Sequence, residues 1–325
     1  MDFLKRLTWR NVVISLAFAF TVLYPLSSRK PYTLHLFVLF FIWGVVAANW
    51  NLLTGYAGIT SLGNVGFLAI GGYVSGILAK NLGISPWIAI PMGGIASMVL
   101  VTVFLGLPAL RLKGIYIALL TLIFADSLPS MLTQTREVTG GAMGLHDIPP
   151  FFKGMEKIHA YYICLAFFLI AQYIIYRTIH SSTGLAFVAL RDSEHFAASL
   201  GVNRFKERLK VFALSSLLTG MAGGFYVHSL GDISPTTLAI EPFLLAITMM
   251  ELGGMGTFFG PILGSAIIVF GSEFLRLAGT LRLSLLGALI CGIVLFFPGG
   301  LMQLVEQLER WVREHIWSKR SGLAA

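Results

Sequence analysis

The chain alternates long apolar runs with short polar breaks, and the runs have the length of membrane spans. A bilayer crossing needs roughly 20 consecutive apolar residues. Residues 11–28 carry no charge, and residues 31–79 contain no Asp, Glu, Lys or Arg, which is room for two crossings. Further apolar runs cover 84–107, 114–133, 159–176, 211–230, 238–255, 257–275 and 283–299. The length rule thus predicts an all-α, polytopic bundle of about ten transmembrane helices, forming a single membrane domain over residues 1–325. The first run does not read as a cleaved signal peptide. Ser27 and Ser28 mimic a cleavage site, but a second span follows almost at once.

Two places read as interrupted helices. In residues 51–63 (NLLTGYAGITSLG), Gly55, Gly58 and Gly63 punctuate an apolar run, and Ser61 is placed to cap the helix that follows. In residues 251–261 (ELGGMGTFFGP), Gly253, Gly254 and Gly256 do the same. The two breaks fall in corresponding parts of the two halves of the chain. Broken helices in such positions line the substrate path in transporters built from internal repeats. The plainer reading is close helix packing through small residues, among them Gly71, Gly72, Gly76, Gly220, Gly223 and Gly224.

Composition agrees with the spans: 56% of the 325 residues are hydrophobic and 12% are charged, about half the charged fraction of soluble domains. The net charge of +8 does not point to nucleic acid, because the basic residues lie at the ends of apolar runs. With the N-terminus placed inside, the cytosolic side receives 15 of the 23 Lys and Arg residues and the opposite side 8, among them Arg29 and Lys30. That bias puts both termini in the cytosol. Cys164 and Cys291 lie inside apolar runs and show no metal-ligand or redox spacing.

On this topology residues 181–210 are cytosolic. They form the longest polar stretch between spans, with Arg191, Asp192 and Glu194 in a helix-forming run that stops at Gly201 and a basic cluster after it. A folded insert of this kind is a docking surface. There is no phosphate-binding loop, no H-E-x-x-H and no G-x-S-x-G in the chain, and its seven histidines are scattered. Nothing points to an enzyme, a metal site or a bound cofactor. Charges within spans are costly and often functional; here they are Asp126, Glu251 and Glu273. Glu273 has a ready partner in Arg276, whereas Asp126 and Glu251 stand equally well as path-lining or as interfacial groups. The tail over 301–317 has amphipathic helical spacing, with Trp311 and Trp317 suited to the inner membrane surface.

Several segments, in order and spacing, resemble the permease subunits of branched-chain amino-acid ABC importers. These are NLLTGYAGITSLGNVGFLAIGGYVSGIL (51–78), LRLKGIYIALLTLIFAD (110–126), TGGAMGL (139–145), STGLAFVALRDSEHFAASLGVN (182–203), LGGMGTFFGPILGSA (252–266) and FFPGGL (296–301). The likeness covers about residues 40–301 and is closer to the M-type than to the H-type of the two paired permeases. It implies a type II-like ABC importer permease in the bacterial inner membrane, forming half of a path for leucine, isoleucine and valine. The implied partners are a homologous second permease of the H-type, two cytosolic ATPase subunits that handle ATP, and a periplasmic or lipid-anchored binding protein.

The likeness also assigns positions. Arg191, Glu194, Ala197, Ala198 and Gly201 would form the coupling segment, as one helix from about Ala189 to Leu200. The translocation-path candidates, taken from the two breaks, the charges within spans and the matched segments together, are Tyr56, Ser61, Gly63, Asn64, Tyr116, Asp126, Glu251, Gly253 and Gly254. Departures include an alanine at Ala198 where the family often has a second acid, Asn64 where it commonly has His, and Glu251 where an aliphatic residue is usual. Near relatives carry urea, short amides or other amino acids, so these cargoes stay open, as does an ion-driven secondary transporter or channel using Asp126 and Glu251.

Overall fold

The computed structural model of the chain describes residues 19–25, 30–112, 114–152, 154–274, 284–285, 287–288, 291–292, 295, 299–304 and 307. The expected first and last spans, the tail helix over 301–317 and the Glu273–Arg276 pair fall wholly or partly outside those residues. Among the described residues the architecture is all-helical, with one isolated antiparallel bridge between Leu145 and Ile233.

The long helices are α1 (Pro31–Asn51), α2 (Asn64–Asn81), α3 (Pro86–Val101), α4 (Ile115–Gln134) and α5 (Lys157–Ile179). They are followed by α6 (Ser182–Asp192), α7 (Glu194–Ser199), α8 (Arg204–Leu230), α9 (Ile240–Gly253) and α10 (Gly260–Phe274). Five helical stretches are long and apolar enough to cross a membrane: Pro31–Tyr56, Pro86–Ala109, Ile115–Gln134, Lys157–Ile179 and Arg204–Leu230. Each matches an expected run, as do α2, α9 and α10, which are shorter or less apolar.

Helix α1 is apolar on every side, and in the span Pro31–Tyr56 that it opens an 18-residue apolar stretch is 89% buried. A helix hydrophobic all round belongs in the interior, and α1 is the post around which α5, α8, α9 and α10 pack. Phe41, Ile42, Val45 and Val46 meet Tyr161, Cys164 and Phe168 of α5 in its core. Lipid tails are as apolar as leucine, so close packing rather than water exclusion must hold such helices together. Small residues supply it. A Cβ at Gly72 would stand 3.1 Å from Gly223 O, and one at Gly94 would stand 2.5 Å from Met221 Cγ. At Gly71, Gly93 and Gly223 an added Cβ would overlap backbone of the facing helix. These are packing glycines, and they lock α2, α3 and α8 together.

The two ends of the bundle differ. At one end, Leu145 and Ile233 exchange backbone hydrogen bonds of 2.8 and 2.9 Å, and Lys80 Nζ donates to His146 O at 2.7 Å. His228, buried there, donates from Nδ1 to Pro149 O (2.7 Å), which leaves Nε2 to accept from Ser75 Oγ (3.0 Å). It is a satisfied structural histidine. The opposite end carries both glycine-rich breaks and the polar segment 181–203.

Candidate functional site

Helix α1 does not stop at Asn51. It continues through a π-turn, Leu52–Tyr56, in which Ala57 N donates to Leu52 O at 3.1 Å. Gly58 then takes φ +66°, and residues 58–63 run without helix to α2. Side chains pull this break onto the bundle. Trp50 Nε1 donates to Ser61 O at 2.6 Å, and Leu62 N donates to Thr121 Oγ1 at 2.9 Å. Ser61 does not cap α2. Gly63 occupies the cap position, while Ser61 Oγ accepts weakly from Gly63 N (3.4 Å) and donates to Asn64 Oδ1 (3.2 Å). Ser61, Gly63 and Asn64 are all buried, and Asn64 Nδ2 has no hydrogen-bond partner among the described residues.

The second break, between α9 and α10, folds against the first. Asn51, 2% exposed, donates from Nδ2 to Thr257 O (2.8 Å) and accepts from Gly256 N (2.7 Å). One buried amide side chain thus satisfies a donor and an acceptor of a loop 205 residues further on. A Cβ at Gly55 would meet Asn51 Oδ1 and Gly256, and one at Gly253 would overlap Gly260 O. Gly254, buried, faces Gly299, whose carbonyl would lie 2.8 Å from an added Cβ, and Gly300 packs on the Gly254 backbone. Glu251 is half-buried beside this turn.

The polar segment locks onto the same junction. Ser181 opens α6 by accepting from Gly184 N (3.4 Å), and Phe187, 1% exposed, packs in one cluster with Leu52, Tyr56, Ile59 and Phe67. Arg191 Nη1 donates to Gly55 O at 2.8 Å, its aliphatic stem presses on Gly58, and Asp192 holds its Nε at 3.0 Å. A Cβ at Gly58 would come within 2.6 Å of Arg191 Cγ and one at Gly256 within 3.3 Å of Arg191 Nη1. One guanidinium therefore stands against both breaks. A charge-assisted hydrogen bond of this type contributes about 1.5–3 kcal/mol.

The expected single helix from Ala189 to Leu200 is two helices. Ser193, extended at φ −160°, ends α6 and caps α7 by accepting from Phe196 N at 3.3 Å. Serine competes for local backbone groups in this way and favours a cap over a helix interior. Glu194 then turns inward. Its carboxylate pairs with Arg204 (3.2 Å) and with Arg208, which also reaches Ala109 O and Leu112 O at 3.4 Å. Ala197 is fully buried, whereas His195, Phe196, Ala198, Ser199 and Leu200 are exposed. Gly201, at φ +81°, closes α7 as a glycine C-cap: Gly201 N donates to Ala198 O and Val202 N to Ala197 O, both at 3.0 Å. A cavity of about 210 Å³ separates α7 from the first break, with Thr60, Arg191, Glu194 and Glu207 in its wall.

Glu194→Ala is expected to leave the nearly buried Arg208 without its counter-ion and to loosen α7 by about 1–2 kcal/mol. Hydrogen exchange over 194–202 reads this directly and should quicken there while α8 beyond Val211 keeps its protection.

The path candidates do not form one cluster. Tyr56, Ser61, Gly63, Asn64, Glu251, Gly253 and Gly254 belong to the two breaks, whereas Tyr116 and Asp126 stand exposed on α4. The sequence reading missed Asn51, Phe187 and Arg208. An amide closing a long apolar run was the available signal for Asn51; the other two depend on tertiary contacts.

Long apolar helices packed through glycines mark a multi-pass membrane protein, in which two broken helices are joined to one polar segment. The chain belongs to the family described as branched-chain amino acid transport system / permease component, whose model matches residues 32–297. It is 30% identical to the high-affinity branched-chain amino acid transport system permease protein LivM of Salmonella typhimurium, over 82% of this chain and 68% of the relative. It is 29% identical to the LivM protein of Escherichia coli, over 84% and 71% respectively. No solved structure matches the chain.

Proposed function

We propose that this chain is the M-type permease subunit of an ATP-driven importer and forms half of the path for leucine, isoleucine and valine across the bacterial inner membrane. A second, homologous H-type permease supplies the other half, two cytosolic ATPase subunits the energy, and a binding protein outside the membrane the cargo. Both termini lie in the cytosol, and the full fold is the type II-like permease with about ten spans. The observation that carries this reading is the junction at one end of the bundle. Arg191 joins segment 182–201 to Gly55 of the first break, and Asn51 joins that break to Gly256 of the second. A push on α7 therefore reaches both interrupted helices through hydrogen bonds and packed backbone. The exposed side chains of α7, with Phe196 and Leu200 about two-thirds accessible, are the surface offered to the ATPase. Helix-in-groove docking of this kind turns closure of one partner into rigid-body motion of another.

Uptake of labelled leucine, isoleucine, valine and urea by the reconstituted assembly tests the reading. ATP-dependent accumulation of the three amino acids is expected. Accumulation of urea alone, or uptake indifferent to ATP, contradicts it.

A further inference from the structure

Helix α4 is the least covered of the long helices. Of an 18-residue apolar stretch of it only 17% is buried, on the side where Ile117 and Thr121 meet the first break. The opposite side changes character along its length. Ile115, Leu119, Leu122, Asp126, Ser130 and Thr133 share one face by helical spacing, and all are exposed. Up to Leu122 the face is apolar; from Asp126 onward it is polar. It then continues into the exposed residues Thr135, Arg136 and Glu137 at the end of the bundle away from α7.

Asp126 is the telling residue. At 1.5 Å per residue it lies about 16 Å from Ile115 and about 12 Å from Gln134, deep in a helix just long enough to cross. No described side chain or backbone donor pairs with it. A carboxylate at that depth does not face lipid; such groups face a bundle interior or a water-filled cavity. It is exposed and makes no hydrogen bond or ion pair among the described residues, so nothing there shows the fold to require it. A wall of serine, threonine and one carboxylate, continuous with the aqueous end, has the chemistry of a solvated path.

We propose that the Asp126 face of α4 is this chain's wall of the translocation path, turned toward the second permease, and that the Asp126 carboxylate holds the α-ammonium group of the passing amino acid. The ligand class follows from charge: an anionic side chain beside neutral hydroxyl groups selects a cationic head, and a zwitterionic amino acid has one. The second half of this proposal rests on the cargo reading given above; the first half does not.

The test uses the assembled importer in a background carrying Cys164→Ser and Cys291→Ser. Single cysteines are placed at Asp126, Ser130 and, as a lipid-facing control, at the exposed Ile170 of α5. A charged, membrane-impermeant methanethiosulfonate should label positions 126 and 130 at least tenfold faster than 170. In parallel, Asp126→Asn should raise KM for leucine at least tenfold without reducing the amount of assembled complex, and Asp126→Glu should restore most of it. Labelling at 126 no faster than at 170 overturns the wall. An unchanged KM in Asp126→Asn overturns the ammonium role. Loss of the second permease on purification of Asp126→Asn also overturns it, in favour of an ion pair between subunits. If the wild-type assembly takes up none of the three amino acids while 126 and 130 still label fast, the cargo reading fails and the wall stands.

Discussion

Gly223→Ala is expected to force α2 and α8 apart and destabilise the bundle. The added Cβ would overlap Leu68 O and stand 2.8 Å from Gly72 N, both backbone atoms of α2. No flexible side chain is available to move, so α2 and α8 must part along their whole contact. The same crossing carries Gly71 against Gly220, and α3 joins α8 beside it through Gly94 against Met221, so separation at one point loosens the others. Over-packing a close-packed site costs about 1–3 kcal/mol when side chains can adjust, and the upper end or beyond applies where only backbone can yield. A fall in Tm of about 5–10 °C for the detergent-solubilised protein, with reduced yield from membranes, is the expected result. Gly271→Ala is the matched control. Gly271 lies inside α10 with nothing within 4 Å of an added Cβ, and alanine there should be neutral or stabilise by up to about 1 kcal/mol. Equal stability of Gly223→Ala and Gly271→Ala would show that α2 and α8 do not pack as described.

Arg191→Ala is expected to separate ATP hydrolysis from transport. The side chain is about one-third exposed, and its contacts are Gly55 O, the Gly58 backbone and Asp192. Removing it leaves α6 attached through Phe187 and α7 attached through Glu194, so the surface proposed to meet the ATPase keeps its shape. What is lost is the polar link from that surface to the first break and, through Asn51, to the second. Hydrolysis by the assembled importer should persist within about twofold, while amino-acid uptake falls tenfold or more. A tenfold loss corresponds to about 1.4 kcal/mol, close to the lower end of the range for one charge-assisted hydrogen bond. Arg191→Lys should recover only part of the loss, because an ammonium lacks the planar fork that reaches Gly55 O while Nε stays on Asp192. Parallel loss of hydrolysis and uptake would instead make Arg191 a docking residue.

The sequence and the structure agree most closely where chemistry is local. Long apolar runs located the five stretches long enough to cross a membrane, and glycine spacing located both breaks. Gly201 was readable as a helix stop because few residues other than glycine adopt its backbone conformation. The start of the first break and the cap at Ser193 are not legible in this way. Leu52–Tyr56 prolong α1 as a π-turn, and Ser193 interrupts a run whose composition suits one helix. Glu194 was identifiable from the family pattern, but its direction was not: Arg208, fourteen residues on, turns it inward. Arg191 and Asn51 show the limit most plainly. Each contacts segments remote in sequence, 136 residues away for Arg191 and 205 for Asn51, and no periodicity within one segment encodes such a meeting.

In the proposed importer energy enters through α7 and reaches the two breaks from that end of the bundle. Site-specific photo-crosslinking tests it most directly. A benzophenone-bearing phenylalanine analogue replaces the exposed Phe196 on α7 and, in a second preparation, the exposed Leu82 at the opposite end. In membranes containing the whole assembly, position 196 should crosslink to an ATPase subunit and position 82 should not. Crosslinking of the ATPase to position 82, or of the external binding protein to position 196, would contradict the account.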